Sequence, residues 1–176
     1  IKNTYQELAQ NWNAYKTALN TENPKPKNGK EVLALSEMML RLTSQGVTQL
    51  EAHLGTASGR LVNLSGRQRM LSQYIAKLYQ AQAWGIADST TGQATTAARQ
   101  EVAQAHHALS AETTNTNAIR SALSLVESQW VFFDKALDKP ALAGSKESLD
   151  IATTSERIYE QLDLIAGLYA QVGAKK

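Results

Sequence analysis

The chain has no cysteine among its 176 residues. That excludes a disulfide framework, a thiolate nucleophile and thiolate-ligated zinc or iron–sulfur centres. Proline is nearly absent too: Pro24, Pro26 and Pro140 are the only three, and none falls between Lys27 and Lys139. Nothing in that span forces a helix to stop. Charge of one sign is lacking, since 18 Lys+Arg against 16 Asp+Glu leave a net charge of +2. With no long basic run there is no nucleic-acid footprint. No apolar stretch reaches the roughly 20 residues a membrane helix needs. No apolar leader stands at Ile1, so the expectation is a mature chain or a fragment. Ala, Gln, Leu and Ser dominate what remains, and β-branched runs are few. The length suffices for one core or two small sub-bundles without staples. The class is all-α.

The chain repeats itself. Residues 1–19, IKNTYQELAQNWNAYKTAL, align with residues 119–137, IRSALSLVESQWVFFDKAL, at an offset of 118. Ile1 meets Ile119, Leu8 meets Val126, Trp12 meets Trp130, Tyr15 meets Phe133, and Ala18-Leu19 meets Ala136-Leu137. After a proline-containing linker and a two-residue deletion, Lys30-Glu31 meets Lys146-Glu147, Leu33 meets Leu149, Leu35 meets Ile151 and Arg41 meets Arg157. Two helices and their linker are duplicated. The second copy carries two further helices ahead of Ile119, whereas the first starts in mid-unit. The unit length predicts on the order of sixty residues upstream, with Ile1 a truncation.

The expected map follows. Helix A covers Ile1 to Leu19, and Asn20 to Gly29 form a linker marked by its two prolines. Helix B starts near Gly29–Lys30, with Val32, Leu33, Leu35, Met38, Met39 and Leu42 at helical spacing. It either breaks between Gly55 and Gly59 or runs on into helix C as one element of roughly 80 Å. Helix C reaches Trp84, where Gly85 supplies a stop. Helix D spans Thr91 to Glu112, and Thr114 to Asn117 give a turn and N-cap. Helix E covers Ala118 to Leu137, Ser145 caps helix F, and helix F runs from Lys146 to Val172. Helices C to F form an antiparallel four-helix bundle at 57–176. Residues 1–56 are the C-terminal half of a first, incomplete repeat.

Helix C carries the most informative stretch, Asn63-Leu64-Ser65-Gly66-Arg67-Gln68-Arg69-Met70-Leu71-Ser72-Gln73. A glycine in mid-helix costs about 1 kcal/mol against alanine, so something must compensate. Leu61, Leu64, Gln68, Leu71, Ile75 and Leu78 form an ordinary core stripe. A second stripe, Gly59, Val62, Gly66, Arg69, Gln73 and Ala76, has the 3-4 rhythm of a helix–helix seam. An arginine in a tight helix pair needs an anion or an acceptor network. Its planar guanidinium suits a planar oxyanion. A solvated, snorkelling Arg69 with Gly66 incidental fits the periodicity equally well.

At these residues the chain resembles the P-box signature of bacterial nitrate/nitrite sensor kinases of the NarX/NarQ group. It also resembles the sensor module of PilJ-type chemotaxis transducers, where the form GRQRMLSQ, here residues 66–73, is typical. The likeness in architecture runs from Gly59 to Val172. Both repeats together resemble a soluble tandem PilJ-type protein with its first P-box upstream of Ile1. The resemblance implies a periplasmic module in which two P-box helices pack side by side and hold nitrate or a similar anion between them. It puts Arg69 on the anion, with backbone contact near Gly66, and Asn63, Met70 and Gln73 shaping the pocket. Arg67 departs from the kinase pattern and fits the PilJ-like form. Pairing would be a homodimer or would use the upstream repeat, and a membrane-bound signalling partner is implied.

Other candidates carry less. Adjacent histidines such as His106-His107 point about 100° apart and cannot chelate one ion, and His53 stands alone; all three read as surface histidines, with no metal site. Trp12, Tyr15, Trp130, Phe132 and Phe133 read as core anchors. Glu127 and Asp134 are not marked as an acid/base pair. No nucleophile set or phosphate loop occurs, so an enzyme is not expected, nor a cofactor. The leading expectation is a periplasmic module sensing a small oxyanion, nitrate or nitrite first. The runner-up is a helical scaffold or partner-binding protein, and a third reading is a binder of an unrelated ligand between the bundle helices.

Overall fold

The computed structural model describes residues 1–23 and 25–174. Pro24, one of the two linker prolines, and the Lys175-Lys176 tail lie outside the described residues. Six helices follow in order: α1 Lys2–Leu19, α2 Pro26–Leu54, α3 Ala57–Ala83, α4 Thr91–Ser110, α5 Asn117–Leu137 and α6 Lys146–Ala174.

Local chemistry sets the boundaries. α2 starts earlier than Gly29–Lys30 because Pro26 sits in its first turn, where a missing N–H costs nothing. The unbroken 80 Å option does not occur. Gly55 turns left-handed at φ 61°, and the Thr56 hydroxyl accepts from the Gly59 N–H at 3.1 Å. The chain therefore reverses in two residues and α2 folds back along α3. Gly85, at φ 72°, ends α3 in the same manner. Thr116 caps α5 through the Ile119 N–H at 3.3 Å, and Ser145 caps α6 through the Ser148 N–H at 3.1 Å.

α3, α4, α5 and α6 close a ring of neighbours, α3 against α4 and α6, α5 against α4 and α6. Cross-helix contacts fix the antiparallel sense. Gly173 lies against Ser58, Arg69 reaches Asp163, and Gln80 donates to the Ser148 carbonyl at 2.8 Å. Between α4 and α5, Arg99 holds Asp134 at 2.7 Å and Asp138 at 3.0 Å. The core takes Leu71 and Ile75 from α3, Val102 and Leu109 from α4, Val126 and Phe133 from α5, and Ile158, Leu162 and Ile165 from α6. The first stripe on α3 is buried apart from the half-buried Leu64, and it includes Gln68, whose Oε1 has no hydrogen-bond partner.

α1 and α2 form a separate hairpin on the outer side of α3. Thr4 donates to Gln49 at 3.0 Å, and the Tyr5 ring packs on Gly46. The expected aromatic anchors divide. Phe133 is fully buried and Trp130 and Tyr15 are half-buried, but Trp12 is 46% and Phe132 73% exposed. Phe132 precedes Phe133 by one residue and so points about 100° away from the core. Trp12 is exposed because no described helix covers that side of α1. Of the histidines, His53 and His107 are exposed, whereas His106 is half-buried between α4 and α5.

Candidate functional site

The outer face of α3 between Gly59 and Met70 is built by helical spacing. Gly59, Val62, Asn63, Gly66 and Met70 fall on one side of the helix, and Arg67 and Arg69 flank them. The two arginines are pulled in opposite directions. Arg67 makes a bidentate pair with Glu101 on α4, one arm at 3.0 Å. Arg69 pairs with Asp163 on α6, and its guanidinium carbon lies 5.1 Å from the Tyr159 ring centroid. Asp163 is 61% exposed, so this pair is screened and holds Arg69 only weakly.

α2 faces this surface. Its Val47, Leu50, Glu51 and Leu54 form one wall of a groove of about 470 Å³, whose other wall is Gly59, Val62, Asn63, Gly66, Arg67, Arg69 and Met70. Asn63 donates across it to Glu51. Farther along the α2–α3 contact, Lys77 donates to Ser36 and Glu37 at 2.7 Å and rests 4.7 Å from the Tyr74 ring centroid. Burial, then the charge of Glu37 and its hydrogen bond, push the Tyr74 hydroxyl up to about 12.

The structure thus brings Asn63, Gly66, Arg69 and Met70 to one groove, with Gly59 and Val62. It parts them from Gln73 and Ala76. Ala76 is buried in the bundle core, and Gln73 lines a shallow pocket against Thr153 and Glu156 of α6, its Nε2 unpartnered. The reason is geometric: at 3.6 residues per turn the stripe from Gly59 to Ala76 wraps about 100° around the axis. Its far end therefore turns into α6 instead of facing outward. A Cβ on Gly66 would meet nothing within 4 Å. α2 therefore does not use the close approach that Gly66 permits.

Asp163 and Tyr159, which hold Arg69, and Glu51, which holds Asn63, were not singled out in the sequence. Only the register of α6 and α2 against α3 brings them in. His106 is pushed toward its neutral form by burial, against the pull of Glu127, and its Nδ1 has no partner. Among the described residues no cluster of His, Asp and Glu is arranged to hold a metal ion. No helix among them is long and apolar enough to cross a membrane.

Because Gly66 packs on nothing, Gly66→Ala should raise the stability of the chain by up to about 1 kcal/mol. On a domain of this size that is a rise of about 2–4 °C in Tm, measurable by thermal denaturation. A loss of stability would mean that another backbone lies against Gly66 in solution.

No curated protein and no solved structure matches the chain. Residues 55–165, which hold α3, α4, α5 and α6 as far as Ile165, match the family described as type IV pili methyl-accepting chemotaxis transducer N-term. With more than half its length matched, the chain belongs to the PilJ family of chemotaxis-transducer sensory modules.

Proposed function

We propose that this chain is a periplasmic, non-enzymatic sensory module that recognises a small oxyanion, nitrate or nitrite first, through Arg69. The observation that carries the reading is the pairing of a weakly held guanidinium with an uncovered glycine three residues before it, both on the outer face of α3. Gly66 leaves room for a second helix, and Arg69 supplies bidentate donors to a planar anion at that seam. Asn63 and Met70 shape the pocket. The second helix comes from a homodimer, or from a first repeat of which residues 1–56 are the C-terminal half. Binding shifts the P-box helices against each other, to the extent that the anion prefers one arrangement. A membrane-bound transducer then reads the shift.

In the free chain Asp163 occupies Arg69, so an anion has to compete with that carboxylate. Thermal denaturation with millimolar nitrate, nitrite or chloride tests the reading, because a ligand of the native state stabilises by RT ln(1 + [L]/Kd). Nitrate or nitrite should raise Tm, Arg69→Ala should abolish the rise, and Asp163→Asn should tighten binding by up to about fivefold, the worth of an exposed ion pair. A rise that survives Arg69→Ala would place the anion elsewhere.

One observation favours a second reading, a helical scaffold. Arg69 is already satisfied by Asp163 and Tyr159, and the groove walls contributed by Val47, Leu50, Leu54, Val62 and Met70 are apolar. Absence of any anion-dependent shift in a dimeric form would leave that reading standing.

A further inference from the structure

α2 carries an apolar wall that its place in the repeat does not require. At the offset of 116 that aligns α2 with α6, Leu42 meets Ile158 and Gly46 meets Leu162. All four are buried, so the two helices turn the same face inward. The groove wall falls elsewhere on the helix. Val47, Leu50 and Leu54 meet Asp163, Ala166 and Ala170, none of them buried. Where α6 has a carboxylate and two alanines, α2 has three large apolar side chains, and they face Val62, Gly66 and Met70 of α3. Whatever packs on the inward face of α2 leaves this wall free for α3. The contact is nevertheless loose. Val47 is 40%, Leu50 38% and Leu54 63% exposed, and no atom of α2 comes within 4 Å of a Cβ on Gly66. Two polar clasps supplement it, Asn63 to Glu51 and Lys77 to Ser36 and Glu37. The chain joins the two helices only through Gly55, left-handed at φ 61°, and Thr56.

We propose that α2 is an autoinhibitory cover over the outer face of α3: a second P-box helix reaches Gly66 only after the α1–α2 hairpin has swung away about Gly55-Thr56. The inference rests on the P-box reading above and adds its regulation. Packed helices lie about 8–10 Å apart, axis to axis. α2 and a second P-box helix therefore cannot both lie against Val62 and Gly66. The second helix also needs Asn63, which Glu51 holds. A site that is uncovered only part of the time shows its intrinsic affinity reduced by that fraction. An anion that binds only the uncovered pair draws the equilibrium toward it. The looseness of the α2–α3 contact suits that role, because a tightly packed cover would not yield to the binding energy of one small ion. Pairing then becomes conditional on the ligand instead of permanent.

Sedimentation equilibrium of the full 176-residue chain, with and without millimolar nitrate, tests it in two variants. Leu50→Lys with Leu54→Lys sets two cations on the wall that faces Arg67 and Arg69 and should lift α2 off α3. Self-association, and the apparent affinity for nitrate with it, should rise by about tenfold or more, with helical circular dichroism unchanged. Ser36→Cys with Lys77→Cys does the opposite once the only two thiols of the chain are joined by a short, cleavable bis-maleimide, which spans the gap that the Lys77 side chain now spans. The linked chain should neither pair nor respond to nitrate, and cleaving the link should restore both, so the cross-link is read against the same molecule even if the lysine variant fails to fold. Equal pairing in the linked, cleaved and unmodified chains would overturn the cover and leave the P-box reading in place. Pairing and nitrate response in none of them would overturn both.

Discussion

Truncating Phe133 to alanine is expected to lower the unfolding free energy by about 3–5 kcal/mol, the range for deleting a fully enclosed aromatic ring. The ring is 0% exposed and packs on Trp130 with a centroid separation of 5.4 Å. The core cluster it belongs to draws on all four bundle helices, so the vacancy cannot close without moving packed elements. The same truncation at its repeat counterpart, Tyr15, should cost only about 1 kcal/mol in the single chain, because a half-buried side chain forfeits part of its transfer free energy and leaves no closed cavity. Urea denaturation at micromolar concentration measures both. The comparison reads the two copies of one helix against each other. Equal costs would mean that Tyr15 is enclosed in solution as fully as Phe133.

Much of this fold was legible because its signals are local. The glycine and hydroxyl punctuation at Gly85, Thr116 and Ser145 marks ends that depend on a few neighbouring residues. The apolar period on α3 and α5 identifies their inner faces without knowledge of the partner. What was not legible depends on register. Arg69 could be read as needing an acceptor, yet Asp163 and Tyr159 become its partners only because α6 runs antiparallel to α3 in one particular alignment. Ala76 belonged to the seam by rhythm alone, and the wrap of a straight helix carries it into the core. Trp12 and Phe132 have the identity of core residues, but the cover over α1 and the turn of α5 decide their exposure. The candidate site stands in the same position. Its donors were visible in the sequence, while the groove that gathers them depends on α2 folding back, which the sequence left open between Gly55 and Gly59.

The largest polar effect is expected at the opposite end from Trp84, where Asn115→Ala should cost about 2–3 kcal/mol. Asn115 is buried in the α4–α5 turn. Its Nδ2 donates to the Leu109 carbonyl at 2.7 Å, and its Oδ1 accepts from the Tyr169 hydroxyl at 2.7 Å. Removing it takes away the 2.7 Å partner of both groups. The Leu109 carbonyl keeps the Glu112 N–H at 3.3 Å, and the Tyr169 hydroxyl keeps only a stretched contact to that carbonyl at 3.5 Å. An under-satisfied buried group costs about 1–3 kcal/mol. Tyr169→Phe removes one bond and should cost less, about 1 kcal/mol. The pair also sets an alkaline limit. Burial, then the nearby Glu112, push the Tyr169 hydroxyl from 10.0 up to about 12, and Tyr74 is raised to about 12 as well. The unfolded chain therefore ionises these phenols first. Their contribution is fully present below pH 10 and is lost as pH rises from there through about 12. Denaturation followed across that window should show stability falling, and Tyr169→Phe should flatten the fall while leaving the part due to Tyr74. Because this bond ties α6 axially to the α4–α5 turn, while Asp163 one and a half turns earlier ties α6 to Arg69, any sliding of α6 against α3 has to act on both. Asn115→Ala should accordingly loosen α6 at its C-terminal end first, seen as faster amide exchange there than around Asp163.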